Sequence, residues 1–200
     1  MVDGQAVKGT LLFPEKVKSK TPAVLLIHGW TSSEKWYIPR AVAISRLGYI
    51  CLTFNLRGHG DSEGVLDELS RKDHLKDVLA AYDFLALQKG VDRERIAVIG
   101  ASYGGYMASL LAGKRKLNRI VLRAPALYPD ESIDTPSGKI SRGENLKYFS
   151  QKASKKNNRA LQSLAKFKEN LLLVESDKDE VIPKQTIDKR RWDIIPNLVL

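Results

Sequence analysis

The string Gly100-Ala101-Ser102-Tyr103-Gly104-Gly105 places a serine hydroxyl where it could act as a nucleophile. An apolar run, Arg95-Ile96-Ala97-Val98-Ile99, precedes it, and a helix-like stretch, Tyr106-Met107-Ala108-Ser109-Leu110-Leu111-Ala112, follows. The serine therefore falls on a strand-to-helix turn, the arrangement of a nucleophile elbow. Such a turn is too sharp and crowded for side chains at its flanking positions, which accounts for the glycines, and it holds the serine in strained backbone with its hydroxyl exposed. A serine hydroxyl is a poor nucleophile at neutral pH unless a base takes its proton. Acyl transfer at Ser102 thus calls for a histidine, a carboxylate to orient it, and donors for the developing oxyanion. The chain has three histidines, His28, His59 and His74, and all precede Ser102.

The elements that must position these groups are legible as alternating strand and helix patterns. Val7 to Phe13 reads as an N-terminal strand before Pro14. Ala23-Val24-Leu25-Leu26-Ile27 is a buried-strand run ending in the tight turn His28-Gly29-Trp30-Thr31. Tyr37 to Leu47 reads as a helix stopped by Gly48. The strand Tyr49 to Phe54 runs into Asn55-Leu56-Arg57-Gly58-His59-Gly60-Asp61-Ser62. Arg71 to Gln88 carries Leu75, Val78, Leu79, Tyr82 and Leu85 at helical spacing, with His74 near its start read as solvated or capping. Arg119 to Pro125 is a further strand, Leu127 to Lys168 has no strand signal, and Asn170 to Glu175 is the last convincing strand. The alternation predicts a mostly parallel α/β sheet covered on both faces.

These motifs, in this order along nearly the whole chain, resemble the α/β-hydrolase superfamily. The resemblance is to small single-domain esterases of the cinnamoyl or feruloyl type, to dienelactone-hydrolase-like proteins, and to prolyl-oligopeptidase-like catalytic domains. It implies an α/β-hydrolase fold, a serine hydrolase of carboxylic esters with Ser102 as nucleophile, and no cofactor. By match to the family, the oxyanion donors are the backbone amides of Trp30 and Tyr103, and His28 is structural. The ending Asp179-Glu180-Val181-Ile182-Pro183 matches the family's acid loop, which assigns the carboxylate to Asp179, with Asp177 shaping the turn. The family places its base in a loop beyond one more strand, and no histidine follows Asp179. The residues Ile195 to Leu200 look like the first of that strand, so the final strand, histidine loop and closing helix are expected to be missing. This predicts a chain that is weakly active or inactive, with an exposed sheet edge through which it self-associates. Two alternatives stay open, a non-catalytic α/β-hydrolase-fold binding protein and a serine peptidase of the prolyl-oligopeptidase type.

Composition adds limits. Two hundred residues, 43% hydrophobic and 28% charged, suit a single globular domain over 1–200. No segment approaches the roughly 18 apolar residues of a membrane span, and the N-terminus has no apolar h-region, so no membrane partner and a cytoplasmic location are expected. Cys51, the single cysteine, sits in a strand pattern as a buried thiol, and no metal-ligand spacing is visible. The chain's +10 charge is concentrated: Ser137 to Asn170 holds seven lysines and two arginines against Glu144 and Glu169. In the resembling family, a segment at about 127–168 often forms a cap. Here it reads either as a basic cap steering small anionic or aromatic-acid esters to the site, or as a solvated helical face. Without interleaved aromatics in a recognition motif, it does not read as binding nucleic acid.

Overall fold

The computed structural model of the chain describes residues 1–150, 157–175 and 197–199. Its strands are β1 (Gly9–Leu12), β2 (Thr21–Ile27), β3 (Ile50–Phe54), β4 (Val91–Ala101), β5 (Arg119–Arg123), β6 (Asn170–Val174) and β7 (Leu198–Val199). They form one sheet in the order β1-β3-β2-β4-β5-β6-β7. Only β1 is antiparallel to its neighbour; every other pair is parallel. The central strands are apolar on both faces because both faces are covered: all of Ile50–Phe54 is buried, as is Ala23–Ile27.

The helices are α1 (Ile38–Arg46), α2 (Arg71–Ala86), α3 (Tyr103–Ala112), α4 (Arg142–Ser150) and α5 (Arg159–Ala165). Helix α1 starts with Pro39 in its first turn, where a missing N–H costs nothing, and gives way to Gly48 at φ 94°. Helix α2 is fixed at its start by a capping box in which Ser70 Oγ accepts from the Asp73 amide and Asp73 accepts from the Ser70 amide. One face of the sheet packs against α2, α3 and α5 through alternate residues such as Leu25, Val98, Ile120 and Leu171. The intervening residues Val24, Leu26 and Cys51 pack with Ala41 of α1 on the other face. Period-two alternation thus divides one sheet between two helical layers.

Most of the expected elements are present with ends shifted by one to three residues. The N-terminal strand shrinks to four residues, and the nucleophile strand begins earlier, at Val91, because its irregular first turn also pairs with Thr21. Leu198 and Val199 lie beside Leu171 and Leu172, so the outermost strand among the described residues is β7 rather than β6. Leu198 and Val199 fall within the stretch, Ile195 to Leu200, that the sequence reads as the start of a further strand. The segment from Leu127 to Lys168 contains 3-10 turns at Asp130–Ser132 and Ser137–Lys139, then α4 and α5. It is tied to the start of α2 by Lys72 N–H to Ile133 O (3.0 Å) and Ser137 N–H to Leu69 O (2.9 Å). Ala160, Leu161 and Leu164 of α5 are buried against α3. Among the described residues no helix is long and apolar enough to cross a membrane.

Candidate active site

Ser102 sits between the end of β4 and the first turn of α3 with φ 50° and ψ −116°, and its side chain makes no capping bond. The backbone around it is fully engaged. The Ser102 amide donates to Arg123 O (2.9 Å), and Ser102 O accepts from the amides of Gly105 (2.9 Å), Tyr106 (3.2 Å) and Ala126 (3.1 Å). These four bonds hold a non-glycine residue in the left-handed region at a cost of order 1–3 kcal/mol. The flanking glycines are forced by contact. A Cβ at Gly104 would meet Ile27 O at 2.3 Å and His28 O at 2.6 Å, and one at Gly100 would meet Gly104 O at 2.2 Å. Of the four described non-glycine residues at positive φ, three, Thr31, Ser102 and Ala124, follow β2, β4 and β5 and so converge at this end of the sheet.

The loop after β2 abuts the serine. A Cβ built on Gly29 would lie 3.7 Å from Ser102 Cβ. The amides of Trp30 and Tyr103 donate to no acceptor among the described residues. For Tyr103 this follows from its place at the first position of α3, where an N–H has no intrahelical partner. Ser102, Trp30 and Tyr103 are therefore brought together. Glu175 is the last described residue before the acid loop, so Asp177 and Asp179 lie outside the described residues.

The three histidines form a buried group beside this site, and backbone partners fix their tautomers. A carbonyl can only accept, so His28 Nδ1 donates to Gly29 O (2.7 Å), which leaves His28 Nε2 to accept from the Leu56 amide (3.1 Å). His28 thus links the loops after β2 and β3. Arg57 O receives both His59 Nδ1–H and His74 Nε2–H, each at 3.1 Å. His74 Nδ1 is then the acceptor for the Tyr103 hydroxyl at 2.7 Å. His59 Nε2 is a buried lone pair with no hydrogen-bond partner among the described residues. Burial holds all three below the ordinary histidine value, His28 at about 4 and His74 at about 3, with neighbouring imidazoles adding to the effect for those two. The rings are neutral at physiological pH, as the tautomer pattern requires.

The reading of His74 as solvated or capping is overturned: it is fully buried and holds the side chain of Tyr103, the residue after Ser102. The signal was in the spacing. His74 and Asp77 fall on the same helical stripe as Leu75, Val78 and Ala81, the stripe that α2 turns to the core. Asp77 serves Arg57, accepting from its Nε at 2.6 Å and its amide at 2.9 Å. The Arg57 guanidinium also reaches Gln5 (3.1 Å), Asp3 (3.3 Å) and Asp73 O (3.1 Å), so one buried cation ties the N-terminus, the post-β3 loop and α2 together. Burial raises the Asp77 carboxyl to about 6 against the pull of Arg57.

Trp30, partly exposed, meets the edges of His59, His74 and Tyr103 at ring separations of 5.5, 5.9 and 5.0 Å. Tyr128, at the start of the 127–168 segment, packs on Tyr103 (5.5 Å) and Tyr106 (5.0 Å), with the Arg71 guanidinium 5.0 Å above its ring. Arg71 in turn donates to Ser132 O at 2.8 Å. The segment is thereby seated on the first turns of α2 and α3. Cys51 is buried, and burial raises its thiol to about 12, which removes it as a nucleophile. Among the described residues no cluster of metal-binding side chains is present.

Comparison with known proteins gives a consistent picture. A family described as "Serine aminopeptidase, S33" matches residues 18–188. An uncharacterized protein of Mycobacterium tuberculosis is 35% identical over 123 residues, covering 62% of this chain and 42% of that protein. Thiohydrolase aneE of Aspergillus aculeatus is 31% identical over 147 residues, covering 70% of this chain and 45% of that protein. The chain thus spans less than half the length of either relative. Among solved structures, Est1E of Butyrivibrio proteoclasticus with ferulic acid bound superposes with a TM-score of 0.77 at 18% identity, covering 100% of this chain and 86% of that one. At that identity the likeness is one of fold.

Proposed function

This chain belongs to the serine aminopeptidase S33 family of α/β-hydrolases, and from that premise we propose that it is a serine hydrolase of carboxylic esters working through an acyl-enzyme on Ser102. The observation that carries the reading is the half-buried Ser102 at φ 50°, with its backbone bonded on every side, beside two unengaged amides. In this mechanism Ser102 Oγ attacks the ester carbonyl carbon and its proton passes to a base. The carbonyl oxygen becomes an oxyanion between the amides of Trp30 and Tyr103. The carbon–oxygen bond to the alcohol then breaks, the alcohol leaves with the proton, and water hydrolyses the acyl-serine by the same route in reverse.

The base is the part these 200 residues do not supply in the family's position. His28, His59 and His74 each have a ring nitrogen committed to a backbone carbonyl, and two have the second nitrogen engaged as well. With Asp179 as the orienting carboxylate and no histidine after it, these residues alone are weakly active. Loss of a triad histidine costs about a millionfold in turnover, while oxyanion stabilisation and binding retain about a thousandfold over water.

The test is p-nitrophenyl butyrate hydrolysis with and without added imidazole, in the chain and in Ser102→Ala. The expected result is a Ser102-dependent rate that imidazole raises, because the small base can occupy the unfilled position. Equal rates for the two proteins at every imidazole concentration would refute the proposal. The family description gives a reason to assay alanine p-nitroanilide alongside, since amide and ester acyl transfer would use the same serine and oxyanion donors.

A further inference from the structure

A cleft of about 660 Å3 lies at the C-terminal end of α3, where it meets the first turns of α2 and the end of α5. Ser102 caps the opposite end of α3, and the ten residues between put the cleft roughly 15 Å away. The cleft is therefore separate from the nucleophile. Its volume is within the range of small-molecule sites.

The floor is apolar: Leu75, Leu110, Leu117, Ile133 and Phe167 line it, each buried but reachable from the cleft. The rim is cationic, and its cations are of two kinds. Four are neutralised in place: Lys72 by Asp134 (2.8 Å), Arg115 by Asp83 (2.7 Å), Lys116 by Glu94, and Arg159 by Asp130 (3.9 Å). Lys114, Lys166 and Lys168 are exposed, and none has a carboxylate within ion-pair distance among the described residues. The remaining rim carboxylate, Glu169, acts on Lys116.

Lysines at helix ends commonly serve the terminal carbonyls. That role is already filled here. Leu110 O and Leu111 O of α3 accept from the amides of Gly113, Lys114 and Arg115, while Ser163 O and Leu164 O of α5 accept from those of Lys166 and Phe167. Three lysines consequently border one concave, apolar-floored volume without a carboxylate partner among the described residues.

We propose that this cleft binds a small amphipathic anion, with its apolar body on the leucine and phenylalanine floor and its carboxylate, sulfate or phosphate among Lys114, Lys166 and Lys168. The apolar body supplies affinity by burial and the three lysines select for charge. The site needs no catalysis at Ser102, so it can be tested whatever the outcome of the esterase assay.

The experiment titrates the full chain with 8-anilinonaphthalene-1-sulfonate and, separately, with N-phenyl-1-naphthylamine, the same aromatic body without the sulfonate. Saturable binding of the sulfonate is expected. A combined Lys114→Gln, Lys166→Gln, Lys168→Gln variant should weaken it about tenfold or more while leaving the neutral amine unaffected, and Ser102→Ala should bind both probes as the parent does. All three lysines are exposed, so the variant retains its core. Equal affinity for the two probes, or unchanged sulfonate affinity in the triple variant, would overturn the proposal.

Discussion

Acidification should destabilise this protein through its neutral histidines, and the size of the effect follows from their surroundings. His28 and His74 are fully buried and titrate at about 4 and about 3, against 6.5 for a solvated histidine. Below about pH 6.5 the unfolded chain takes up protons that the folded chain refuses, so stability is full above that pH and is lost as pH falls towards the folded values. Between about pH 7.5 and 5.5 each of these two rings forfeits roughly 1 kcal/mol. Asp77 works in the opposite direction. Its carboxyl is raised to about 6, so the folded state gains a proton that the unfolded one lacks. That returns less than about 1 kcal/mol over the same interval. The net loss is of order 1–2 kcal/mol, and His59, lowered by the same burial, adds to it. A domain's whole stability is about 5–15 kcal/mol, so the change is large. Urea unfolding followed by tryptophan fluorescence should show a midpoint roughly 0.5–1 M lower at the acid end, for a slope of about 2 kcal/mol per molar. His74→Gln should be less stable at neutral pH but should lose roughly 1 kcal/mol less on acidification. An equal or higher midpoint at about pH 5.5, or a variant with the parent's full pH response, would refute the reasoning.

Other substitutions probe the elbow and its supports. Gly104→Ala should destabilise by about 3 kcal/mol or more, because the new Cβ meets the carbonyl oxygens of Ile27 and His28 and neither backbone can retreat; thermal melting measures it. Ser102→Gly should raise the urea midpoint by the equivalent of about 1 kcal/mol, since glycine accepts φ 50° without strain; an unchanged midpoint would mean that the turn is relaxed. Tyr103→Phe should cost about 1–3 kcal/mol by leaving His74 Nδ1 as a buried acceptor without its donor, while retaining the amide beside Ser102.

The fold was legible because its strands are short apolar runs set between turn signals and its helices show a core-facing stripe. The runs at Ala23 and Ile50 could belong only to strands covered on both sides. The elbow was legible for a related reason, since glycine at 100 and 104 is required by contact rather than merely permitted. What escaped was the set of bonds joining distant loops. Nothing periodic links Arg57 to Asp3 and Asp77, or His74 to Tyr103; these are single side chains whose partners become neighbours only after the sheet has formed. For His74, its nearness to a helix start is a poor guide, and its place on the buried stripe is the better one. Asp177 and Asp179, assigned by resemblance, lie outside the described residues.

The order of strands in the sheet also sets a timetable for the protein's birth. β2 lies between β3 and β4, with Ala23 opposite Ile96, so the partner that fixes one side of β2 is synthesised long after it. The turn bearing Trp30 leaves the ribosome early and has nothing to face until Ala101 and Ser102 follow. Non-local parallel pairing of this kind is slow to form. During that interval the apolar runs of β2 and β3 are uncovered, and an uncovered apolar strand is prone to aggregate. Refolding yield should therefore fall with protein concentration and recover when a chaperone shields those runs.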